Sequence, residues 1–157
     1  MVFNYYKYEQ FGINIFEYAD PFDFLIAPFQ DKYIIVFALL SALIPYFAYL
    51  TESFMKRKYP KIYSRSAFGL DKKSWFNTYR AVLFAIVLVL YTTAAGQYYG
   101  EFFQERFKDQ SPISVIMLDK SVIKGKLIGK TQDMIFLKVS GKVTAIPVSS
   151  AVKVEIE

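Results

Sequence analysis

Residues 120–157, KSVIKGKLIGKTQDMIFLKVSGKVTAIPVSSAVKVEIE, decide the fold. Their apolar positions alternate, and glycines cut the run into short pieces, which is the pattern of β-strands joined by tight turns. The alternation begins slightly earlier, at Ile113, where ISVIMLD puts Ile113, Val115 and Met117 on one face. Val122 and Ile123 then precede a bend at Gly125. DMIFLKV and KVTAI are joined by Ser140-Gly141, a hairpin signal. PVSSA has the length of one 3₁₀ turn, and VKVEI alternates again with Val152, Val154 and Ile156 facing inward. Five short strands in this order predict a strongly bent small barrel over residues 111–157. Its expected core is Val115, Met117, Val122, Leu127, Ile135, Leu137, Val143, Ile146, Val154 and Ile156.

GKLIGKTQDMIFLKV (125–139) resembles the first motif of the Sm-like family, and IPVSSAVKVEI (146–156) resembles the segment that closes such SH3-like barrels. The module is also similar to the β domain that follows the pore helix in small-conductance mechanosensitive channels. The resemblance covers about 45 residues and implies a barrel with strand edges that pair between subunits. RNA-binding Sm proteins carry an Asn after the motif's Met, where this chain has Ile135. The second motif's Arg-Gly is replaced by Ser149-Ser150. The module carries Lys120, Lys124, Lys126, Lys130, Lys138, Lys142 and Lys153 but no Arg, and Phe136 is its one aromatic. Bidentate base contacts favour Arg, and single strands need stacking platforms, so nucleic acid is not the expected partner. The lysines read as a solvated face.

Ahead of the module stand two uncharged apolar runs. Residues 33–50, YIIVFALLSALIPYFAYL, would rise about 27 Å as a helix, close to the hydrocarbon thickness of a bilayer. Pro45 should kink this span. Residues 79–99, YRAVLFAIVLVLYTTAAGQYY, form the second span, flanked by aromatics at both ends. The expected architecture is therefore α+β: a transmembrane helical hairpin over 33–110, then the five-stranded barrel. Ser41, Ala42, Ala48, Ala94, Ala95 and Gly96 are small enough to let another helix approach. With Ile135 and Phe136 of the module they are the candidate interface residues. Residues 1–32 are aromatic and acidic, interrupted by Pro21 and Pro28. Their apolar pieces are too short to span, and they read either as an amphipathic interfacial segment or as a segment packed on the bundle.

The loop 51–78 between the spans sets the orientation. Lys56, Arg57, Lys58, Lys61, Arg65, Lys72, Lys73 and the adjoining Arg80 stand against Glu52 and Asp71. The positive-inside rule puts this loop in the cytoplasm and both termini on the other side, and the basic cluster suits anionic lipid headgroups.

Composition closes several function classes. Hydrophobic residues make up 54% and aromatics 19% of the 157 residues, which is rich for a soluble domain. With no Cys and no His, disulfides, thiolate nucleophiles and the commonest general base and metal ligand are excluded. No Asp, Glu, Lys, Arg or His lies within residues 33–50, and of these Arg80 alone lies in 79–99, at the loop end, so no proton relay is expected there. A Ser-Lys dyad from Ser149 or Ser150 with Lys153 is the one nucleophile arrangement on offer, and the chain lacks phosphate-loop or dinucleotide motifs. The chain reads as a non-enzyme without catalytic residues, metal or cofactor. Its expected role is an accessory or scaffold subunit of a membrane complex, sited in a bacterial inner membrane. Its partners would be lipids, other membrane subunits or copies of itself. The alternative is an oligomeric effector or channel, such as a nucleotide-activated phage-defence effector, in which a ring of β modules responds to a small-molecule ligand or to tension.

Overall fold

The computed structural model describes residues 1–68 and 70–156, Ile156 by its backbone alone. The chain divides into two compact units. One joins Met1–Ile34 to Gly96–Glu157, and the other is Ile35–Ala95.

In the first unit the sheet is antiparallel. Its strands are β1 (Ile113–Met117), β2 (Val122–Lys130), β3 (Met134–Val139), β4 (Lys142–Pro147) and β5 (Ala151–Ile156). They lie in the order β4-β3-β2-β1-β5. β2 serves two partners: Val122 to Gly125 pair with β1, and Lys126 to Lys130 pair with β3. The expected bend at Gly125 is this change of partner. The β3–β4 turn places Ser140 at φ 49° and Gly141 at φ 86°. Two consecutive positive φ values suit a two-residue hairpin, and the second is the conformation glycine adopts without a Cβ clash. The 3₁₀ turn expected between the last strands spans Val148–Ser150.

The barrel core is Ile113, Val115, Ile135, Leu137 and Ile146, with Met117, Ile123 and Leu127 partly buried against it. Three expected core residues are exposed instead: Val122, Val143 and Val154. Val115 faces Ile123 across the β1–β2 ladder, whereas Val122 faces Ile116, so the inward residue of β2 is one position later than expected. Val154 does stand opposite Val115, but on an outermost strand, where it is 45% exposed. Val152, also expected inward, is exposed on the same strand. The side chain of Ile156 lies outside the described residues.

A second cluster covers the other face of the sheet. Tyr8, Ile13, Ile15, Phe107, Ile128 and Phe136 are buried together, with Phe11, Phe24, Phe103 and Met134 packed around them. The N-terminal segment is therefore folded onto the module. It forms α1 (Val2–Glu9), a 3₁₀ turn (Ile15–Glu17) and α2 (Pro21–Gln30). Asp20 caps α2 in a reciprocal capping box with Asp23. α1 and the turn contribute core to the module, while Phe16 in the turn and one apolar side of α2 stay exposed.

Two long helices follow the expected spans. α3 runs Lys32–Lys58, passing through Pro45 without ending, and α5 runs Phe76–Lys108. Both are long and apolar enough to cross a membrane, and only 17% and 6% of their most apolar windows is buried. A core helix of a soluble domain would be mostly covered. The loop 51–78 is largely helical: α3 extends into it, α4 covers Pro60–Ser66, and a 3₁₀ turn covers Leu70–Lys72.

Candidate functional site

Within the first unit, the seam between the N-terminal segment and the sheet is the most elaborate polar and aromatic arrangement. Phe136 on β3 meets Tyr8 edge-on at 5.4 Å and Tyr18 at 5.5 Å. Phe11 meets Phe107 at 4.8 Å. The Lys7 ammonium lies 4.3 Å over the Phe103 ring. Burial pulls its pKa down to about 8, with Asp31 opposing the shift. Burial, aided by Asp23, pushes the Tyr8 hydroxyl above the ordinary tyrosine range. The Tyr99 hydroxyl donates to Asp31 Oδ2 at 2.8 Å, and the Gln132 amide donates to Asp23 Oδ1 at 2.9 Å. A cavity of about 430 Å³ remains beside Lys7, Asp23, Asp31 and Gly129. These groups tie the segment to the sheet and to α5.

α1 crosses α5 at two glycines. A Cβ on Gly100 would sit 2.7 Å from the Tyr6 carbonyl oxygen, and one on Gly96 would strike the Tyr6 ring at 2.6 Å. Gly96, expected to admit another helix, does so for α1 of its own chain. Gly100, four residues on, completes the small-residue pair and was not singled out from sequence.

Ile135 and Phe136 are both buried, Ile135 in the barrel core and Phe136 under the N-terminal segment. The contacts they make here are within the chain. The signal for them was present in Ile135-Phe136-Leu137, an unbroken apolar run in a strand, which marks burial on both faces. The outward features of the sheet are its edges. β4 and β5 each pair on one side only, and they expose Val143, Val152 and Val154. Lys142 and Lys153 stand on the same two strands, the second bonded to Glu155 at 2.7 Å.

In the second unit the basic residues stand in several settings. Arg80 is drawn into an ion pair, its Nε 2.9 Å from Glu52 Oε1, with a second nitrogen donating to Glu52 Oε2 at 3.1 Å. Its guanidinium lies 5.4 Å from the Tyr49 ring centre. The Tyr63 hydroxyl donates to the same carboxylate at 2.6 Å. Burial and that bond push the Tyr63 pKa up to about 12. Arg80 is thus a structural cation and Glu52 its anchor. Lys56 approaches the Tyr63 and Phe76 rings at 6.0 Å each. Lys61, Arg65 and Lys72 line a shallow depression with Asp71. An apolar cavity of about 500 Å³ opens beside the Glu52–Arg80 pair, walled by Pro45, Ala48, Leu83, Phe84 and Val87. Ser41 is buried and donates to the Ala38 carbonyl at 2.8 Å. Ala42 and Ala48 are exposed, and Ala94 and Ala95 are partly covered.

No family model and no curated protein matches the chain. Among solved structures, the chain is similar to the pleiotropic translational regulator Hfq in a 1.55 Å crystal structure. The TM-score is 0.30 and the identity 16%, over 36% of this chain and 93% of that one. An Hfq protein from Anabaena sp. is similar at TM-score 0.28 and 12% identity, over 36% of this chain and 92% of that one.

Proposed function

We propose that this chain is a non-enzymatic two-pass membrane protein serving as an accessory or scaffold subunit, and that its Sm-like module docks through the free edges of β4 and β5. The observation that carries the reading is the pair of one-sided strands with exposed valines, in a unit whose two sheet faces both have cores. Unpaired strand edges are templates for another strand. Lys142 and Lys153 restrict which strand can add without closing the edge. The apolar, mostly exposed α3 and α5 hold the module at the bilayer. The basic loop would lie in the cytoplasm and the module on the opposite side.

The test uses full-length protein in detergent. Val143→Lys with Val152→Asp should dissolve the higher-mass species, or release a defined co-purifying subunit, while membrane insertion persists. Parent protein that is monomeric and partnerless both in detergent and after crosslinking in membranes would overturn the docking role.

The second reading, a ligand-responsive effector, is favoured by one feature. The cavity of about 500 Å³ beside Glu52 and Arg80 falls in the size range of small-molecule sites. A conductance that depends on an added ligand and is lost in Leu83→Trp, which fills that cavity, would establish it over the scaffold.

A further inference from the structure

The helix α2 has two unlike sides. One is bound into the first unit: Ala27 is buried, Phe24 packs on the Tyr8–Phe136 cluster, and Asp23 accepts from the Gln132 amide at 2.9 Å. The other carries Phe22, Leu25, Ile26 and Phe29, spaced at three, four and seven residues, which puts them on one helical face. They are 67%, 67%, 49% and 86% exposed. That face holds no charge. A contiguous stripe of two phenylalanines, a leucine and an isoleucine is more than the scattered single apolar residues of ordinary surfaces.

We infer that α2 lies in the bilayer interface on this stripe, and that through Asp23 it holds the turn between β2 and β3 against the membrane surface. The inference rests on the reading of α3 as a membrane span. The chain itself names the occupant. A single residue, Asp31, separates Gln30 from Lys32, the first residue of α3. Asp31 has extended backbone at φ −133° and ψ 104°, so α2 and α3 are two helices and not one. Its Oδ1 accepts from the Tyr33 amide at 3.0 Å, capping the start of α3. A stripe this close along the chain to a spanning helix stands at the depth where headgroups meet acyl chains. Helices with one apolar and one polar side bind there. Phe29 and Lys32 also suit that boundary, the ring below it and the ammonium above.

The test exploits the absence of cysteine from the chain. Single-cysteine variants Phe22→Cys, Leu25→Cys and Phe29→Cys, each at a site already exposed, are spin-labelled in the full-length protein. They are reconstituted in vesicles of zwitterionic and anionic phospholipid. Relaxation by oxygen, which enters lipid, is compared with relaxation by a water-soluble nickel chelate. Glu17→Cys reports the aqueous side and Leu40→Cys the bilayer interior. The expected result is that the three α2 labels lose nickel accessibility and gain oxygen accessibility relative to Glu17, less strongly than Leu40. Labels on α2 that match Glu17 while Leu40 reads as buried in lipid would overturn the inference and leave the span intact. Leu40 reading as aqueous would overturn both. Protection of α2 from both reagents would assign the stripe to a protein partner and overturn the lipid assignment.

Discussion

Replacing Tyr8 and Phe136 by Leu, singly and together, asks whether the N-terminal segment and the barrel are one cooperative structure. The rings meet at 5.4 Å with planes at 67°, an edge-to-face contact between buried residues. Such pairs contribute about 0.5–1.5 kcal/mol beyond the area they bury. Each single change also removes other contacts: Phe136 meets Tyr18, and the Tyr8 hydroxyl abuts Gly129. Those losses appear in both the single and the double variants and cancel in the cycle. The residual coupling should therefore be about 1 kcal/mol. Independent sites are additive to within about 0.3–0.5 kcal/mol, so the expected value is resolvable. Unfolding of the full-length protein in detergent can be followed by pulse proteolysis, with cleavage before residue 31 scored separately from cleavage in the strands. In the parent the two should appear together. A coupling below about 0.3 kcal/mol, or release of the N-terminus well before the strands, would refute the shared core.

Three further outcomes follow from the same geometry. Lys7 has a folded pKa near 8 against an ordinary 10.5, so the unfolded chain binds more protons between those values and the first unit should gain stability as pH rises from about 8 to 10. The effect is at most about 3 kcal/mol, tyrosine ionisation should reverse it at higher pH, and Lys7→Met should flatten the profile and melt higher at neutral pH; a parent melting temperature that falls across this window would contradict desolvation of the half-buried Lys7. Gly100→Val should cost about 1–3 kcal/mol and speed proteolysis of residues 1–30, because the added side chain meets the Tyr6 carbonyl; parent-like cleavage would mean α1 does not pack there. Leu40→Arg or Val87→Arg places a charge mid-helix at a cost of about 2.5–3.5 kcal/mol and should move the protein out of the carbonate-resistant membrane fraction, and unchanged retention of both would remove the assignment of α3 and α5 as spans.

What could be read from sequence was local. The Ser140-Gly141 turn, the bend at Gly125 and the 3₁₀ turn at Val148–Ser150 depend on the few residues that form them, and all three stand where their chemistry puts them. The α3 and α5 runs were legible because uncharged length is itself the signal. The parity of β2 was not, since Val122 and Ile123 are equally apolar and only the β1 ladder chooses between them. The cover over Phe136 was invisible for a different reason. Periodicity identifies an apolar face but not its neighbour, and here the neighbour is Tyr8, more than a hundred residues earlier.

That hidden cover changes the argument from size. A module of under fifty residues buries little by itself, and units of that size usually need a staple or a partner. The N-terminal segment and the end of α5 already meet the need: Tyr8, Ile13, Ile15 and Phe107 bury the second face of the sheet, and the barrel interior buries the first. Stability of the fold is then no reason for the apolar features that remain exposed. Val143, Val152 and Val154 on the sheet edges, and Phe22, Leu25, Ile26 and Phe29 on α2, stay exposed and are not members of either core cluster. Exposed apolar groups of this size carry a solubility penalty. On the reading proposed above, a docking strand would cover the edges and the bilayer would cover the helix.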